Sequence, residues 1–127
     1  MPQQQNRPVF LNLFQIKLPP TAIISILHRL AGVLLILFLP FLIYLFDMSL
    51  QDKTSFTQVT SLVDHPLVCI ILYFLLWAIS HHFVAGIRYF LIDFEVISSK
   101  SVARTSAIIV FIAGLSVPVL VWLGNQI

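Results

Sequence analysis

Polar and apolar residues come in blocks along this chain rather than interleaved. After a polar opening, the stretch from about Thr21 to Phe46 is almost wholly Leu, Ile, Phe, Val and Ala. A second apolar block runs from roughly Pro66 to Ile92 and a third from about Thr105 to Leu123. At about 1.5 Å per residue, each can cross the roughly 30 Å hydrocarbon core of a bilayer as a helix. The pattern predicts an all-α membrane protein: three transmembrane helices, with spans about 21–46, 66–92 and 105–123, in a single domain covering residues 1–127.

The segments outside the blocks complete the prediction. Residues 1–20 hold Pro2, Pro8, Pro19 and Pro20, too many for a continuous helix, so an irregular arm at the membrane surface is expected. Phe10, Leu11, Leu13, Phe14 and Ile16 would anchor it among the lipid headgroups. Thr21 is expected to cap the first helix and Pro66 to open the second. Pro40 falls inside the first span and Pro118 inside the third, positions a membrane helix tolerates. Asp47 to His65 and the stretch around Asp93, Glu95, Lys100 and Arg104 are expected as loops.

Composition excludes a soluble domain. The chain is 59% hydrophobic and 9% charged, against about 25% charged in ordinary globular proteins. Six of the seven cations, Arg7, Lys17, Arg29, Arg88, Lys100 and Arg104, fall on the amino-terminal side of the predicted bilayer, and Lys53 alone lies opposite. The positive-inside rule then predicts a cytoplasmic amino terminus and a carboxyl terminus on the far side. With neither a secretory signal nor an Arg- and Ser-rich transit segment, a bacterial inner membrane is the expected location, and a mitochondrial inner membrane the second reading. Cys69 is the one cysteine, which excludes an internal disulfide and a cysteine-ligated cluster built by this chain alone. No Gly-rich dinucleotide fingerprint is present, so the chain is not expected to be a self-sufficient redox enzyme. Nor is a nucleic-acid partner expected.

Candidate chemistry lies where polar residues interrupt the apolar blocks. His82, Gly86, Tyr89 and Asp93 fall at i, i+4, i+7 and i+11, one stripe on a helix. An intramembrane histidine needs a partner that hydrocarbon cannot supply, and Gly86 one turn away leaves room for a bulky flat group. Together they suggest a haem ligand. Ser25, His28 and Arg29 share one face of the first span and can hydrogen-bond a small carbonyl compound or an acidic propionate. His82 lies six residues before Arg88, about 9 Å deeper, near the depth that face reaches. His81 points about 100° away from His82 and is read as structural, as is His65 in the opposite loop. Arg88 and Asp93 are read as boundary residues. A six-coordinate haem takes two axial ligands, so the second is expected from a partner subunit rather than from His28.

Arg7-Pro8 followed by Ser25-Ile26-Leu27-His28-Arg29, and later His82-Phe83-Val84-Ala85-Gly86-Ile87-Arg88 with Asp93, resemble the cytochrome b556 type of membrane anchor of succinate dehydrogenase. The two motifs, with the length and three spans, cover essentially the whole chain. The resemblance implies a subunit that helps pass electrons from succinate oxidation to ubiquinone in the respiratory chain and tricarboxylic acid cycle. It implies three partners: a flavoprotein, an iron–sulfur subunit and a second small membrane anchor. By motif position His82 matches the axial ligand of a haem b shared with that second anchor, and His28 matches a residue near the haem propionates. Ser25 and Arg29 match the quinone-binding pair. Three positions depart from the pattern: Ala31 stands where Ser or Thr is usual, Tyr89 where His or Phe is usual, and Glu95 where a small residue is usual. The first two are expected to alter hydrogen bonding around haem or quinone. Two rival readings are a haem-free structural anchor and a small transporter subunit with His82 and Arg88 as a relay.

Overall fold

A computed structural model describes residues 17–126 of the chain. The expected arm, apart from its last residues, and the Arg7-Pro8 pair lie outside the described residues. Four helices follow in order: α1 Pro20–Gln51, α2 Lys53–Val63, α3 Pro66–Asp93 and α4 Lys100–Gly124. The three long ones, α1, α3 and α4, are each apolar enough to cross a membrane. They correspond to the three predicted spans.

Local chemistry explains where the helices run past the apolar blocks. α1 is 32 residues long, about 48 Å, so its last turns extend beyond the hydrocarbon. Those turns hold themselves: Gln51 donates to Asp47 at 3.1 Å and the Ser49 hydroxyl to the Phe46 carbonyl at 2.6 Å. The expected loop between Asp47 and His65 is therefore mostly helix. Its second half is α2, started by Asp52, whose carboxylate accepts the Ser55 backbone N–H at 2.8 Å and the Ser55 hydroxyl at 3.1 Å. These bonds to the charged form hold the Asp52 carboxyl below its ordinary range. α4 likewise begins at Lys100, earlier than the apolar pattern indicated, because Ser99 caps the Val102 N–H at 3.2 Å. Thr21 does not cap α1; Pro19 occupies the cap position without a side-chain bond and Thr21 lies in the first turn. Pro66 opens α3 as expected. α1 runs through Pro40 and α4 through Pro118 without a break.

Small side chains bring the helices together. Ala31, Ala78, Ala85 and Ala107 are fully buried, and Ile24, Ala85, Ala107 and Val110 form a core cluster with Val84 and Tyr89 packed against it. Where helices share an apolar solvent, close backbone approach and a few interhelical hydrogen bonds replace the hydrophobic drive. The α3–α4 seam shows both. A Cβ built on Gly114 would lie 3.0 Å from His81 Cβ, and the Ser80 hydroxyl donates to the Gly114 carbonyl at 2.9 Å. Arg88 clasps the same seam, giving Nε to the Ser106 hydroxyl at 2.9 Å and a terminal nitrogen to the Ala103 carbonyl at 3.1 Å. At 4% exposure it is an interior residue, not the boundary residue the sequence indicated. Most large apolar side chains, Ile36, Leu37, Phe46, Ile70 and Phe83 among them, face outward, as lipid contact requires. The turn after α3 places Glu95 at φ 59°, in the left-handed region that favours glycine. That backbone need accounts for the usual small residue there.

Candidate functional site

The site forms where α1 crosses α3. One turn of α1, His28 to Gly32, faces the His82–Gly86–Tyr89 stripe. The His28 and His82 rings stack with centroids 4.1 Å apart and planes 7° from parallel. Tyr89 tilts onto the other side of the group, its ring 5.1 Å from that of His28. Three of the four stripe residues thus gather about His28, while Asp93 ends the helix in an exposed position.

A hydrogen bond sets the chemistry of His82. Its Nδ1 lies 3.1 Å from the His28 backbone carbonyl oxygen. A carbonyl can only accept, so the Nδ1 carries the proton and Nε2 keeps a free lone pair. This is the arrangement by which proteins orient a metal-ligating histidine and raise its basicity. Gly32 makes it possible: a Cβ there would stand 3.0 Å from His82 Cε1 and 3.4 Å from Nδ1. The face that Gly86 offers is turned to the His28 ring: a Cβ built on it would meet His28 Nε2 at 4.0 Å.

Two features fit a haem ligand at His82: a lone pair on Nε2 and a fixed ring. The stacked geometry also separates the two histidines by role. With the rings stacked 4.1 Å apart no flat group would fit between them, so His82 would hold a haem without His28 as the second ligand. In this arrangement His28 supports His82 and does not oppose it. The phenol oxygen of Tyr89 is buried without a hydrogen-bond partner among the described residues. A buried hydroxyl of that kind calls for a polar group beyond the described residues.

Ser25 is half-buried and Arg29 exposed, one turn apart on α1 beside His28. Neither side chain makes a hydrogen bond to another described residue. His81 is fully buried against α4, stacked on Trp77 at 5.4 Å, with neither ring nitrogen paired among the described residues. It faces α4 rather than α1, about 100° round α3 from His82. His65 is exposed at the start of α3, and Cys69 is half-buried. Gly32 and Ser106 were not apparent from sequence. Gly32 sits one turn after His28, a spacing that hinted at its face but not at the ring packed on it from another helix. Among the described residues no cluster of three or more His, Cys, Asp and Glu could hold a metal ion.

Residues 3–121 match the succinate dehydrogenase/fumarate reductase transmembrane subunit family. The succinate dehydrogenase cytochrome b556 subunit of Coxiella burnetii (strain RSA 493 / Nine Mile phase I) is 34% identical over 120 residues, 92% of this chain and 96% of that protein. The histidine pair and the polar turn of α1 thus belong to a multi-pass membrane-anchor subunit of the succinate dehydrogenase/fumarate reductase transmembrane family.

Proposed function

We propose that this chain helps hold a haem b and a ubiquinone where electrons from succinate oxidation enter the membrane, with His82 as one axial haem ligand. The observation that supports this reading is the bond from His82 Nδ1 to the His28 carbonyl, which leaves the Nε2 lone pair free. A b-type haem held there supplies a one-electron relay inside the bilayer. The chain's own residues prepare the site for it. Gly32 gives the His82 ring its space, and His28 orients it while packing against one face. The buried Tyr89 hydroxyl and the nearby His28 ring nitrogen are placed to donate to propionate oxygens. The second axial ligand comes from another small anchor subunit, because His28 stacks on His82 instead of facing it.

Ser25 and Arg29 form the quinone contact. A guanidinium and a hydroxyl one turn apart can hydrogen-bond a quinone carbonyl and favour its reduced, negatively charged forms. Iron–sulfur and flavoprotein subunits supply the electrons. The membrane is a bacterial inner membrane, with the amino terminus cytoplasmic, because the cations cluster at the α1-start end of the bundle. Arg29→Leu tests the quinone assignment. Quinone reduction by the assembled complex should fall at least tenfold while succinate oxidation by an artificial dye is unchanged, since a charged hydrogen bond contributes about 1.5–3 kcal/mol. Undiminished quinone reduction would remove Arg29 from the site.

A further inference from the structure

Two adjoining grooves run along the α1–α4 seam, on a different side of α1 from the proposed quinone pair. At the membrane surface one of about 470 Å³ is lined by Pro19, Pro20, Thr21, Lys100, Ala103 and Arg104. Directly below it, sharing Pro20, is a purely apolar groove of about 300 Å³, walled by Ile23, Ile24, Ala107, Ile108 and Phe111. On α4 the linings form one stripe, with Lys100, Ala103 and Arg104 followed by Ala107, Ile108 and Phe111 at i+7, i+8 and i+11. At about 1.5 Å per residue, Ile108 and Phe111 lie roughly 6 and 10 Å deeper than Arg104. At 3.6 residues per turn, Ile23 projects about 160° round α1 from Ser25.

We infer that this seam is a binding site for one anionic glycerophospholipid, its phosphate between Lys100 and Arg104 and an acyl chain in the apolar groove. Both cations are exposed, and both stand at the depth where a headgroup phosphate lies when its chain fills the groove below. Charge complementarity selects this occupant. A quinone head is neutral and gains little from two adjacent cations, whereas basic pockets at the ends of membrane helices suit anionic headgroups. An apolar polypeptide segment would fill the lower groove but leave the cations unmatched. The inference uses only the seam and the membrane setting, and it stands whether or not haem is bound.

The test is photocrosslinking in the assembled complex. A benzophenone side chain replaces Ile108, and the complex is placed in nanodiscs of equal parts phosphatidylglycerol and phosphatidylcholine. Mass spectrometry then reads the adducts. Lipid adducts enriched in phosphatidylglycerol over the bilayer mixture are expected. In the same background, Lys100→Gln with Arg104→Gln should cut that enrichment roughly thirtyfold, at the usual contribution of a cation near an anionic headgroup. The exchange Lys100→Arg with Arg104→Lys should retain it, which separates charge from folding. Adducts to polypeptide, whether this chain's residues 1–16 or another subunit, would overturn the inference. So would lipid adducts at the bulk ratio regardless of the two cations.

Discussion

The seating of the His82 ring depends on three features of another helix. The His28 carbonyl fixes its proton, the His28 ring supports one face, and the missing side chain of Gly32 admits its edge. Spacing within one helix singled out His82 as a candidate, because an imidazole in an apolar block beside a glycine has few structural explanations. It was not enough to find Gly32, whose importance comes from a contact between helices. Gly32→Ala is the test at this scale. A methyl 3.0 Å from His82 Cε1 must displace the ring, weakening the Nδ1–carbonyl bond and with it the basicity of the ligand. The haem midpoint potential should rise by roughly 40 mV, the one-electron equivalent of about 1 kcal/mol. Redox titration of the purified complex checks it, and an unchanged potential would show that the ring is seated without help from Gly32.

The helices follow two rules that hydropathy alone does not separate. Apolar blocks mark the lengths in contact with lipid, and they were legible as three spans. Helix ends are set by caps, and Asp52 and Ser99 start helices inside segments whose polarity read as loop. The Asp52 cap depends on pH. Its carboxyl is held below the ordinary range in the folded chain, so its contribution is fully present above the unfolded value and is lost as pH falls through the depressed folded value. Hydrogen exchange at the Ser55 amide, corrected for intrinsic rate, should therefore lose protection only at acid pH; protection that persists below that window would contradict the cap. Glu95 gives a second test at this scale. Its φ of 59° costs an L-residue about 1 kcal/mol relative to glycine. Glu95→Gly should slow local opening of the α3–α4 turn about fivefold, read as exchange at the Glu95 and Ile97 amides, which bond the Ile92 and Leu91 carbonyls. Equal or faster exchange would show that the turn is held by something other than its backbone preference.

At the scale of the whole molecule, the bundle assigns its polar residues to separate seams. Where α1 crosses α3 it carries the histidine pair, with the turn holding Ser25 and Arg29 beside it, while the α3–α4 seam carries Arg88, Ser106 and the buried His81. The order of the spans and their common cationic end were legible in the sequence, because both follow from one-dimensional patterns. The burial of Arg88 was not, since its partner Ser106 comes from the neighbouring antiparallel helix. That clasp also weakens the transporter reading, because an arginine committed between two helices is poorly free to relay protons or substrate. A haem-free anchor is the rival that shares every other feature of the fold, and spectroscopy separates the two. The direct measurement is the reduced-minus-oxidised absorption spectrum of the assembled complex, wild type beside His82→Leu. The account predicts b-type bands in the wild type that disappear or shift in the variant while the subunits still co-purify. Identical bands in both, or none in either, would contradict it.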